Sequence, residues 1–263
     1  MPNPVLNEKN LGKVYADDHA GWAAPSTNPI DDGPISPYRS DRLTVGGVSR
    51  AGLILFAILL GGAAFGWRAV RTGEGVAFPG WLILAAIGGF ATAMLTSFKP
   101  KFARFSAPVY AVLEGVFLGG ISKVYESQYN GIVTQALLGT VGVFIVMLVL
   151  YQTRILRVTP RMQKMVMAAT VGVGLIYLVG FVARIFGSGL SFINSPSALG
   201  IGFSVLVVGI ASFNLALDFD LIEKLERQGA PRWMEWYAAF GLMVTVVWLY
   251  LEILRLLSKL NRR

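Results

Sequence analysis

Carboxylates set inside apolar runs are the residues of this chain best suited to chemistry. Nine acidic residues lie beyond residue 50, and most fall between apolar runs. Three groups do not: Glu114 in "YAVLEGVFLGG", the pair Asp218 and Asp220 in "SFNLALDFDLIEKLE", and Glu252 in "VVWLYLEILRLL". An ionised side chain at bilayer depth costs roughly 2.5–3.5 kcal/mol on insertion scales, so each must face a bundle interior, find a partner or take up a proton. A charge that comes and goes with a proton can gate, and carboxylate oxygen also suits Ca2+.

Helix geometry separates the two aspartates. Two residues apart on a helix is about 200° of rotation, so Asp218 and Asp220 cannot both face inward. Asn214 precedes Asp218 by four residues and shares its face, which makes it the expected hydrogen-bond partner. Asp220 points toward the polar boundary with Glu223 and Lys224. Asp218 is therefore the expected interior group and the candidate Ca2+ contact, and Asp220 a solvated helix-end charge. Glu114, beside Gly115, suits either an interhelical hydrogen bond or a place on an ion path. Glu252 has Arg255 three residues on, so a local ion pair competes with any gating role.

The elements that must position these acids follow from hydropathy. The chain has 263 residues, 54% of them apolar and only 14% charged, where a soluble domain carries about 25%. Seven apolar runs, near 51–70, 79–98, 106–125, 131–151, 164–186, 197–217 and 234–257, are each long enough to cross about 30 Å of hydrocarbon as a helix. The expected fold is all-α: a polytopic membrane protein with a seven-helix transmembrane bundle over 51–258. Residues 1–50, rich in Pro, Ser, Gly and Asp, read as a disordered polar tail, and 259–263 as a short basic C-terminus. Small residues recur within the runs (Gly62 and Gly66, Gly115 and Gly119, Gly172 and Gly174, Gly200 and Gly202), as close helix packing in lipid requires.

Charge gives an orientation. The second, fourth and sixth joins hold ten Lys and Arg, against four in the first, third and fifth. The even joins and the N-terminal tail are thus expected in the cytoplasm. The net charge of +8 sits in these joins and at the C-terminus, while residues 1–50 carry five basic and six acidic residues. That distribution suits anionic lipid rather than nucleic acid. Seven crossings leave the C-terminus outside, against the pull of the basic "RLLSKLNRR".

Enzyme classes find little support. The chain has no Cys, and its one histidine, His19, lies in the tail. No phosphate-binding loop, metal-ligand spacing or nucleophile with a histidine base is present. Neither an enzyme nor a bound cofactor is expected.

The order "AVLEGVFLGGISKVYE", "ALLGTVGVFIVMLVLY", "ALDFDLIEKL", "VWLYLEILRLL" resembles the Bax inhibitor-1 family, whose bacterial members include the YccA-like and YetJ-like membrane proteins. The likeness covers roughly residues 50–258. It places Asp218 on the family aspartate that ends the sixth span. It implies a multi-pass protein of the bacterial inner membrane, with the last helix near the bundle centre. It also implies a calcium leak controlled by pH through acids on the sixth and seventh helices, with Ca2+ as permeant ion. A basic residue after the second helix then holds the closed state, and Lys99, nearest the span, fits. On the seventh helix the motif "LYLE" puts the second acid at Glu252, whereas helix length puts Thr245 there. In the latter case no proton-sharing acid pair exists. Relatives also suggest a regulatory alternative, in which the protein binds a membrane-bound protease or stress-response partner and conducts nothing. The implied partners are thus the lipid bilayer, Ca2+, H+ and, on the second reading, a protease.

Overall fold

The structure, a computed structural model, describes residues 42–70, 80–187 and 195–262. The tail expected over 1–41, the first join at 71–79 and most of the fifth join lie outside the described residues. Seven α-helices are long and apolar enough to cross a membrane. They are α1 (Val45–Ala69), α2 (Gly80–Phe98), α3 (Ala103–Gln128), α4 (Ile132–Gln152), α5 (Pro160–Ile185), α6 (Ala198–Arg227) and α7 (Met234–Leu260), with a 3-10 turn at Pro100–Phe102 joining α2 to α3. The shortest, α2, has 19 residues and a rise of about 28 Å, close to the hydrocarbon thickness. Large apolar side chains such as Leu53, Phe65, Phe90, Leu138 and Phe181 stand exposed on the outer faces. That is costly in water and natural against lipid.

Helix starts are fixed by local chemistry rather than by hydropathy. α1 begins at Val45, earlier than the expected residue 51, because Thr44 in extended backbone accepts a hydrogen bond from Gly47 N at 2.9 Å. α5 begins at Pro160 behind the Thr159 cap, four residues before its apolar run. α6 continues ten residues beyond the expected end at Leu217, so Asp218 and Asp220 lie within the helix and do not terminate it. At 30 residues it is about 45 Å long, and the surplus over the bilayer carries the acids and bases of its last turns.

The helices alternate in direction. Where α1 begins, Thr44 N donates to Glu235 Oε1 at 3.1 Å and Val45 N to Glu226 Oε1 at 2.8 Å. Leu43 N donates to Ala230 O, and Arg42 bridges Pro231. The start of α1 is thereby clamped to the α6–α7 turn at what is called here the proximal end. At the opposite, distal end, Glu126 accepts from Gly131 N and Val133 N to close the α3–α4 turn. There Arg262 also donates to the Tyr129 hydroxyl.

α7 packs against α6, α1, α4 and α3 and so occupies the bundle centre, its Met243, Leu249 and Leu254 fully buried. α1 and α3 make the closest approach, with Gly62 and Gly66 against the backbone of Val112, Gly115 and Val116, and Gly119 against Ala63. Close packing, expected for these glycines, holds here. Gly172, Gly174 and Gly202 face open space. A side chain at Gly119 must displace backbone atoms. Gly119→Leu is expected to cost about 1–3 kcal/mol through overpacking, read as a lowered melting temperature in detergent, while Gly202→Leu leaves it unchanged.

Candidate functional site

Asp218 sits nine residues before the end of α6, in its proximal half. Its face of α6 meets α7, where the Thr245 side chain stands near its carboxyl. Its Oδ2 is buried with no hydrogen-bond partner among the described residues. The Thr245 hydroxyl also reaches its own helix, with Oγ1 3.3 Å from Gly241 O. A threonine hydroxyl has one hydrogen and two lone pairs. It can donate to an ionised Asp218, or turn that hydrogen to Gly241 O and accept from a protonated one. A hydroxyl beside Asp218 can therefore serve both charge states without a second acid.

Asn214, expected to bond Asp218, does not. Its amide donates to Thr170 Oγ1 on α5 at 2.8 Å and to Ile210 O at 2.9 Å. Thr170 lies 44 residues away on α5, which packs chiefly on α6, so spacing along α6 alone does not reveal it. Asn214→Ala is expected to loosen α5 by about 0.6–2 kcal/mol, visible as faster proteolysis or exchange in α5, with smaller effect elsewhere.

Asp220 lies on the far side of α6, as its spacing requires, and pairs with Lys224 at 2.5 Å. It is less solvated than expected, its side chain only 18% exposed. Leu156, Arg157 and Val158 of the α4–α5 loop enclose it in a cavity of about 400 Å3. One turn on, Glu223 receives the Tyr151 hydroxyl and the guanidinium groups of Arg154 and Arg227. Neither Tyr151 nor Arg154 stood out in the sequence, because their partner lies about 70 residues away.

Glu252 belongs to the distal end. It is two turns beyond Thr245 on α7, about 10 Å along the axis, and does not meet Asp218. The expected Arg255 pair forms at 2.8 Å, and the Tyr177 hydroxyl of α5 donates to the same oxygen at 2.8 Å. Arg255 also bonds Tyr177 at 2.6 Å and lies over its ring. Oε2 of Glu252 is buried without a partner among the described residues. Lys259, assigned by sequence to a short basic terminus at 259–263, is instead buried within α7. Its ammonium group donates to Gly200 O at 2.8 Å and Ser204 Oγ at 2.6 Å. The spacing 252, 255, 259 places all three side chains on one helical face, a signal present in the sequence. Arg255 and Lys259 of the basic ending are thus engaged within the bundle.

The carboxyl of Glu114 on α3 lies against Gly89 of α2, and a β-carbon there would stand 3.1 Å from Oε2. Among the described residues no side chain hydrogen-bonds it. Lys99 caps the 3-10 turn with its side chain exposed and makes no ion pair among the described residues. Six candidates therefore divide: Asp218 and Thr245 meet, Asn214 serves α5, and Glu252, Glu114 and Lys99 stand apart from them.

Among the described residues no three acidic or histidine side chains converge as a metal cage. One carboxylate and one hydroxyl fall well short of the six to eight oxygens that a resident Ca2+ prefers. The family model described as Bax inhibitor 1 like matches residues 3–262. The match begins within the tail, where the sequence resemblance started only near residue 50. Searches among curated proteins and solved structures return no match.

Proposed function

The chain belongs to the Bax inhibitor-1-like family, and from that membership and the setting of Asp218 we propose a pH-sensitive cation leak, permeable to Ca2+, in the bacterial inner membrane. The observation that carries it is the buried, partnerless Oδ2 of Asp218 at the α6–α7 contact, on a carboxylate with no ion pair among the described residues, unlike Glu252, whose equally unpartnered Oε2 belongs to an ion pair with Arg255. An unsatisfied carboxylate oxygen at membrane depth is expensive and marks ion or proton traffic. Protonation removes the charge and turns the group from acceptor to donor, and Thr245 meets either state. That exchange couples the proton concentration to the contact between two spanning helices. The basic joins support an orientation with the proximal end, and so Asp218, toward the cytoplasm.

Flux is slow and weakly selective on this reading, because no ring of carboxylates lines a filter. Nothing in the reaction makes or breaks a covalent bond, so the protein is read as no enzyme and needs no cofactor. The test is Ca2+ entry into proteoliposomes across the neutral pH range. Protein-dependent flux that changes with pH supports the proposal, and flux equal to that of empty liposomes at every pH removes it.

A second reading, a regulator that binds a membrane protease or stress-response partner without conducting, draws on the family match extending to residue 3. It expects deletion of residues 1–41 to abolish partner binding while Asp218→Asn leaves it intact.

A further inference from the structure

α1 and α4 do not pack closely together, although both lie against α7. Between them opens a cavity of about 840 Å3, within the size range of sites that take small ligands. Gly52, Leu53 and Phe56 of α1 line one wall, Phe144 and Leu148 of α4 the other, and Val246 of α7 the floor. Its charged groups gather at the proximal end, where Arg154, Glu223 and Glu226 line it together with Tyr151. The long axis follows the helices: Val45 to Phe56 on α1 is about 16 Å of rise. Half the hydrocarbon core is about 15 Å, the depth of one leaflet.

We infer that this groove binds one acyl chain of an anionic phospholipid from the proximal leaflet, with the lipid phosphate beside Arg154. An amphiphile matches the groove in length, in its largely apolar walls and in the placement of charged groups at one end only. Charge selects the headgroup. Glu223 is already bonded to Tyr151, Arg154 and Arg227, and Glu226 caps Val45 N. The Arg154 side chain remains 56% exposed, on a residue with φ of 59°. A guanidinium that spends one edge on Glu223 keeps further N–H donors for a phosphate. Arg157 stands beside it in the neighbouring cavity. A transmembrane helix from another protein fits less well, because the polar end would then meet apolar side chains.

Gly52 provides the means of testing this, since a β-carbon there meets nothing within 4 Å. Gly52→Leu therefore fills the groove without a clash, and Gly202→Leu, at another open position, is the matched control. Full-length protein in detergent is stripped of lipid and titrated with phosphatidylglycerol or phosphatidylcholine, with bound lipid counted by native mass spectrometry. The parent is expected to hold one phosphatidylglycerol about fivefold more tightly than phosphatidylcholine, the worth of one basic residue near a phosphate. Gly52→Leu should lose that lipid while Gly202→Leu keeps it, and Arg154→Ala should bind the two lipids equally. Equal binding of both lipids by the parent, retention by Gly52→Leu, or an unchanged preference in Arg154→Ala would overturn the assignment. Melting curves matching the parent establish that each variant is folded.

Discussion

Glu252→Ala is expected to destabilise the bundle by about 3 kcal/mol, the largest loss from any single side chain at the distal end. Glu252 is 1% exposed and carries the only carboxylate bonded to Arg255 among the described residues. Removing one partner of a buried ion pair leaves the other charge desolvated and uncompensated, typically at 3–5 kcal/mol. The lower figure applies because the Arg255 side chain is 31% exposed and recovers some water. Tyr177 also loses its acceptor. The cause is separable from simple loss of volume: Glu252→Leu combined with Arg255→Leu keeps the space filled and removes both charges, and should recover most of the lost stability. Thermal melting in detergent of the single and double variants reads the comparison. A double variant no more stable than the single would place the cost in packing instead. Lys259→Met, which strands only the carbonyl of Gly200 and the hydroxyl of Ser204, should cost less, about 1–3 kcal/mol.

Thr245→Asp is expected to change the pH response of flux more than any substitution outside Asp218 itself. Thr245 supplies the hydroxyl at the α7 position facing Asp218. A second carboxyl there creates a pair whose charges repel when both are ionised and which share a proton when one is not. Strongly interacting groups lose their protons in two macroscopic steps that belong to the pair. Flux against pH should therefore broaden from one transition into two. Thr245→Val removes the hydroxyl instead and leaves Asp218 without that neighbour in either charge state. It should keep a single transition at altered pH. Glu252→Gln should leave the shape of the profile unchanged, because Glu252 lies two turns away with partners of its own. A profile altered as much by Glu252→Gln as by Thr245→Asp would put the responsive acid at the wrong end of the bundle.

Much of the architecture was legible because hydrocarbon imposes one simple requirement. Long apolar runs marked all seven crossings, and of the glycines expected to pack closely those of α1 and α3 do so, whereas Gly172, Gly174 and Gly202 face open space. Boundaries were less legible, since hydropathy falls where a helix leaves the lipid and not where it ends. α6 thus outran its apolar run by ten residues, and α1 started at a threonine cap that hydropathy does not register. At the candidate site, rotation about α6 correctly separated Asp218 from Asp220, because that geometry is local. Which helix each face meets is not local. Asn214 was matched with the nearest polar residue on its own helix, whereas a threonine on α5 claims it. Lys259 was read from its nearness to the chain end, although its spacing from Glu252 and Arg255 already placed it on their inward face. Thr245 and Glu252 could not be told apart by alignment of a leucine-rich helix with itself, and only the packing of α7 on α6 separates them.

The most direct test of Asp218 as the proton-responsive group compares Asp218→Asn with Asp220→Asn in the same proteoliposomes, following Ca2+ flux across the neutral pH range. Asparagine keeps the shape of each side chain and removes its titration. Asp218→Asn should give flux that no longer changes with pH, while Asp220→Asn, which loses only its pairing with Lys224, should follow the parent's curve. A pH-dependent parent whose response survives Asp218→Asn, or is lost in Asp220→Asn instead, would contradict the account.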